Sequence, residues 1–184
     1  MNLTRRELLA AAAGAPALAA AKQRPLVVLF SKPVQSMGYE ELGRMAKRVG
    51  FDGIDLTVRP NGHVLPERVE RDLPAAHEAL QKHGLSLPMI TTALTSPADP
   101  SARSILSTAA RLKVRYFKLG YWRYPRGGDV RAALAKAREE ARGLAELARE
   151  YGIEAAWHNH SGNYVGHSLW DSDSIIAGMD PKWI

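Results

Sequence analysis

The sequence predicts an α/β protein of the (β/α)8 TIM-barrel type, carried here through about five βα units of the eight. Short apolar runs alternate with helical stretches, the pattern of parallel strands joined across helices. The first apolar run leads into Ser31-Lys32-Pro33-Val34-Gln35 and not into a glycine-rich turn, which argues against a doubly wound dinucleotide fold. Polar side chains gather where the strands end, as at the C-terminal mouth of a barrel.

Leu26-Val27-Val28-Leu29-Phe30 is an unbroken apolar run, as expected of a strand buried on both faces. Tyr39 to Val49 places Leu42, Met45, Ala46 and Val49 at helical spacing, with Glu40 and Glu41 in the first turn and Gly50 after the last. Phe51 to Val58 is the second strand, and Arg59-Pro60-Asn61-Gly62-His63 is a polar loop. From Pro66 the chain reads as helical up to Gly84, with Pro74 expected to split off a short turn from a main helix capped by Asp72.

The pattern then repeats. Leu85 to Thr92 reads as a strand, Pro100 to Leu112 as a helix and Val114 to Gly120 as a strand. Asp129 caps a long helix with apolar positions at Val130, Leu134, Ala137, Ala141, Leu144, Leu147 and Ala148, closed by Gly152. Ile153 to Trp157 begins a fifth strand that runs into His158-Asn159-His160-Ser161-Gly162. Alternation along that strand puts His158 and His160 on one face and Trp157 and Asn159 on the other. Ser168 or Asp171 starts a further helix ending near Gly178, and Asp180-Pro181-Lys182-Trp183-Ile184 leads toward a sixth strand. Eight such units take about 250 residues, so residues 22–184 read as the N-terminal part of a barrel.

Residues 1–21 read separately, as a twin-arginine export signal. Thr4-Arg5-Arg6-Glu7-Leu8-Leu9 precedes an alanine-rich run, with small residues suited to cleavage after Ala19 or Ala21. Gly14 and Pro16 interrupt that run, which is too short to span a bilayer. The expected destination is the periplasm.

The formal net charge is +6, yet basic residues sit among acidic ones, as Arg138 and Arg142 do beside Glu139 and Glu140. Without a basic cluster interleaved with aromatics, nucleic-acid binding is not expected. Cysteine is absent, which excludes disulfides and thiolate metal sites.

Strand ends and the loops after them supply Ser31 and Lys32, then Asp55, Arg59 and His63, then Thr91 and Thr92. Lys118, Tyr121, Tyr124, His158 and His160 complete a polar set suited to a sugar.

Gly50-Phe51-Asp52-Gly53-Ile54-Asp55-Leu56, Arg59-Pro60-Asn61-Gly62-His63-Val64, Gly84-Leu85 and His158-Asn159-His160-Ser161-Gly162 together resemble the sugar phosphate isomerase/epimerase family, with its xylose isomerase-like (endonuclease IV-like) TIM barrel. The resemblance covers residues 26–184. It implies an isomerase or epimerase that moves a proton next to a carbonyl, acting on a sugar or sugar phosphate. A lyase or dehydratase, or a carbohydrate-binding protein without catalysis, is the alternative. It also implies a divalent metal at the barrel mouth, with His158 as ligand in the place where many members carry glutamate. An imidazole there favours Mn²⁺, Co²⁺, Zn²⁺ or Fe²⁺ over Mg²⁺. The resemblance places further ligands on strands six to eight. On this reading Lys118 faces a carbonyl or phosphate oxygen and His160 orients substrate or supports the metal ligand, the two forming the catalytic pair. Asp55, Arg59, His63 and Tyr121 contact substrate. A homo-oligomer is compatible with it.

Overall fold

A computed structural model describes residues 24–184; the expected signal, residues 1–21, lies outside the described residues. Five strands form one sheet in the order β1-β2-β3-β4-β5, every neighbouring pair parallel. They are β1 (Val28–Phe30), β2 (Gly53–Val58), β3 (Ser86–Thr92), β4 (Tyr116–Lys118) and β5 (Glu154–Ala156). Helices α1 (Tyr39–Val49), α2 (Val69–Lys82), α3 (Ala102–Arg111) and α4 (Val130–Tyr151) connect them, and α5 (Leu169–Ile176) follows β5. Sequential order with a helical crossover between parallel strands is the barrel progression.

The helices end where their chemistry directs. Gly50 takes φ 101° at the end of α1, and its N–H donates to the carbonyls of Ala46 and Lys47, a conformation that favours glycine. Asp129 caps α4 by accepting from the backbone N–H groups of Arg131 and Ala132. Ser168 caps α5 and accepts from the Asp171 N–H, which settles where that helix begins.

Between sheet and helices lies the core. Ile54, Leu56 and Val58 of β2, Ile90 of β3 and Phe117 of β4 are buried with no exposed surface. Leu42, Leu73, Leu106 and Leu144 meet them from α1 to α4. Alternation along the strands turns Asp55, Thr91 and Lys118 to the opposite side, the barrel interior.

Two expectations change. Pro74 does not divide its helix: α2 is continuous from Val69, and the break falls earlier, at a 3-10 turn over Pro66–Arg68. A proline so near the start of a helix deletes only one intrahelical bond, and buried Leu73 beside it anchors the turn. Asp72 consequently lies inside the helix, where it pairs with Arg68 at 2.9 Å and Arg71 at 2.7 Å. The second change is strand length. β1, β4 and β5 each span three residues, so the pairing ladder stops at Ala156 and His158 to His160 lie in the loop beyond it. Further along, the Ala155 N–H donates to the Trp183 carbonyl at 3.0 Å, so residues 180–184 do reach the far edge of β5.

Candidate functional site

Register brings the inward side chains into one row. Phe30 pairs with Asp55, Thr91 with Lys118 and Lys118 with Ala156, all at or near the C-terminal ends of their strands. This row floors a cavity of about 480 Å³, walled by Arg59, Tyr121, His158 and His160, with Lys32 at its rim.

Lys118 is 7% exposed. Its ammonium donates to the Leu119 carbonyl and lies 3.7 Å from the centre of the Tyr121 ring. Burial, with a smaller push from the Arg59 guanidinium, lowers its pKa from 10.5 to about 8, against the opposing pull of Asp55. Asp55 is raised from the ordinary carboxylate range, chiefly by burial. It is held ionisable by the Thr91 hydroxyl, which donates to both carboxylate oxygens at 2.9 Å, and by the nearby Lys118 and Arg59. One carboxylate and two cations thus share a half-dry space.

On the β5 side the Tyr121 hydroxyl lies 3.0 Å from His158 Nδ1. Burial is the main cause that lowers the His158 pKa, so its ring is neutral at pH 7. His160 Nδ1 is 2.8 Å from the Ser161 carbonyl. A carbonyl only accepts, so Nδ1 carries a proton, and in the corresponding neutral tautomer the lone pair lies on Nε2. The rings of Tyr121, His160 and Tyr164 pack together with centroids 5.0 to 5.1 Å apart.

The loops after β4 and β5 are tied to each other. Arg123 and Tyr164 form an antiparallel bridge, and the Val165 N–H donates to the Trp122 carbonyl at 2.9 Å. Trp157, which also borders the cavity, stacks on Trp122 at 5.4 Å and donates to the Ser172 hydroxyl, the packing expected of its parity.

Of the residues singled out from sequence, Asp55, Arg59, Lys118, Tyr121, His158 and His160 line one cavity. His63 does not. It is half-buried, with its backbone N–H donating to the Thr57 hydroxyl at 2.9 Å and its Nδ1 3.4 Å from the same oxygen. Ser31 is fully buried, and its hydroxyl accepts from the Thr57 N–H. Tyr124 donates to Asp171 at 2.9 Å. Sequence reasoning missed Phe30 and Met89, which the register turns inward, and Tyr164, which the loop pairing sets against the rings of Tyr121 and His160 behind the cavity.

The expected metal finds an incomplete ligand set. Among the described residues, no three histidine, aspartate or glutamate side chains stand close enough to share an ion. His158 and His160 offer two nitrogens, and a catalytic zinc takes three protein ligands. The described residues alone therefore do not fit a divalent metal.

A sequence model of xylose isomerase-like TIM barrels matches residues 44–184. The chain belongs to the xylose isomerase-like TIM barrel family. Solved structures of that fold superpose on it. A putative xylose isomerase from Rhodospirillum rubrum aligns with TM-score 0.68 and 14% identity, over 86% of this chain and 62% of that one. The probable 3-DHS dehydratase AsbF of Bacillus anthracis gives 0.66 and 13%, over 86% and 61%. The 3-keto-D-glucoside 4-epimerase YcjR of E. coli gives 0.63 and 14%, over 83% and 64%. The chain thus spans less than two thirds of the length of these relatives in fold. No curated protein sequence matches it. Among the described residues, no helix is long and apolar enough to cross a membrane.

Proposed function

We propose that this xylose isomerase-like cavity binds a sugar and transfers a proton next to its carbonyl, as in isomerisation or epimerisation. The observation that carries the reading is Lys118, a nearly buried ammonium at a strand end that lines the same cavity of about 480 Å³ as Asp55. In so dry a setting a fixed cation stabilises a developing oxyanion far more than it does in water.

The chain's own residues suit the steps. Lys118 donates a hydrogen bond to the carbonyl oxygen. The C–H bond beside the carbonyl breaks, its proton passes to the free Nε2 of His160, and the electron pair moves onto the oxygen held by Lys118. Returning the proton to the same carbon on the other face gives the epimer; returning it to the former carbonyl carbon, while the neighbouring hydroxyl passes its proton to the oxygen held by Lys118, gives the isomer. Asp55 and Tyr121 orient hydroxyl groups, and the Tyr121 hydroxyl fixes the His158 ring. The divalent metal implied by the family needs ligands beyond those the described residues gather, so none of these steps uses one. Epimerases and a dehydratase among the structures of this fold support the class of chemistry.

The test is incubation with a panel of ketoses in D₂O, with and without Mn²⁺. Deuterium beside the carbonyl is expected, and its absence across the panel overturns the proposal. The dehydratase relative gives the second reading, in which the same enediolate expels a β-substituent. Loss of water in the product mass would identify it, and sugar affinity without any exchange would mark a binding protein. Export to the periplasm belongs to the proposal too, supported by Arg5-Arg6 and the alanine-rich run.

A further inference from the structure

We propose that Glu140 and Ser172 are positioning residues: through two stacked indoles, Trp122 and Trp157, they hold the Tyr121 hydroxyl against His158 in the cavity wall. The proposal deepens the proton-transfer reading and rests on it for what that wall does. Neither residue lines the cavity; Glu140 lies within α4 and Ser172 within α5.

Two neighbouring loops carry the contact. The loop after β4 brings Tyr121 and then Trp122, and the segment after β5 brings Trp157 and then His158. They leave the sheet side by side, since Lys118 pairs with Ala156 and the Leu119 N–H donates to the Ala156 carbonyl at 3.1 Å. Consecutive residues therefore meet twice. The Tyr121 hydroxyl meets His158 Nδ1 at 3.0 Å, and Trp122 meets Trp157 with rings 16° apart and centroids at 5.4 Å. The indole pair is anchored from the helices. Trp122 Nε1 donates to the Glu140 carboxylate at 2.6 Å, and Trp157 Nε1 donates to the Ser172 hydroxyl at 3.1 Å.

A buried indole N–H needs an acceptor, and a carboxylate makes the stronger bond. Trp122 and Ser172 are both buried, so water does not readily replace these partners. Ser172 in turn donates to the Gly166 carbonyl at 2.7 Å. A Cβ at Gly166 would stand 2.5 Å from Trp157 Cζ2, so glycine is what lets this loop pass against the indole. Each helix thus grips one indole, and an indole that shifts carries its chain neighbour with it, Tyr121 or His158. Tyr121 also packs on His160 at 5.0 Å, so the shift reaches the ring that takes the proton. A misplacement of about 1 Å costs on the order of a hundredfold in rate.

The test is NMR of Glu140→Leu, which removes the acceptor, beside Glu140→Gln, which keeps one. The native protein should show cross-relaxation between the ring protons of Tyr121 and His158. That signal should be lost in Glu140→Leu and persist in Glu140→Gln. Ser172→Ala deletes the other acceptor without adding bulk, and should weaken the same signal even where Glu140→Leu melts early. Deuterium exchange at saturating ketose should fall about tenfold or more in Glu140→Leu and recover in Glu140→Gln. A lower Tm with the ring contact intact in both Glu140→Leu and Ser172→Ala overturns the proposal, as does equal loss in the leucine and glutamine variants. Ring contact that depends on Glu140 in a protein that exchanges no deuterium sinks the proton-transfer reading and spares the positioning role. Native exchange that continues unchanged in Glu140→Leu, with the ring contact intact, does the reverse.

Discussion

Replacing Lys118 with methionine should stabilise the protein at neutral pH while abolishing the proposed proton transfer. Lys118 is 7% exposed, and its pKa falls from 10.5 to about 8 mainly through burial. At roughly 1.4 kcal/mol per pH unit, that difference means the folded chain carries about 3 kcal/mol to keep this ammonium charged. The sign follows from linkage. Below pH 8 both folded and unfolded chains hold the proton and the folded chain bears the whole cost. Between pH 8 and 10.5 only the unfolded chain holds it, so this residue's contribution to stability rises with pH, and above 10.5 the cost is gone. Methionine fills a similar volume without charge. It forfeits the bond to the Leu119 carbonyl and the contact with the Tyr121 ring, each about 1 kcal/mol. The net expectation is a gain of about 1 kcal/mol at pH 7, or a Tm roughly 2–4 °C higher, which shrinks as pH rises above 8 and has become a loss well before pH 10.5. Urea unfolding of both proteins at several pH values measures it. A methionine variant that is less stable at pH 7, by an amount that does not change with pH, would refute the reasoning.

Other perturbations follow from the same geometry. Thr91→Val removes the hydroxyl that donates to both Asp55 oxygens, so the Asp55 pKa, already raised by burial, should rise further in a carboxyl ¹³C titration. Phe117→Ala empties a fully buried position between sheet and helices and should cost about 3–5 kcal/mol in denaturant unfolding. Asp129→Ala deletes the cap of α4 and should cost about 1 kcal/mol by the same measure. Arg5→Lys with Arg6→Lys should retain the protein in the cytoplasm of a host with a twin-arginine pathway, and unchanged export would contradict the signal reading.

Much of the fold was legible because apolar runs such as Leu85 to Thr92 and the Asp129-to-Gly152 helix carry both their periodicity and their caps locally. Pro74 misled because a proline stops a helix only where it removes needed bonds, and the true start three residues after Pro66 depended on packing around Leu73. Asp55 and Lys118 could be chosen from sequence because strand parity and strand ends are local properties. Lys118 and Thr91 being register partners is not, since it depends on how β3 meets β4. His63 shows the limit from the other side: its place in a polar loop suggested substrate contact, whereas the tertiary fold turns it against Thr57. Tyr164 packs on Tyr121 and His160 through a loop-to-loop bridge that no spacing in the chain announces.

The most direct measurement is the pH dependence of deuterium wash-in beside the carbonyl of a bound ketose, compared between the native protein and Lys118→Met. If Lys118 acts as the ammonium that holds the developing oxyanion, exchange falls as pH rises through about 8 and is lost in the methionine variant. Exchange that persists in that variant with an unaltered pH profile would contradict the account.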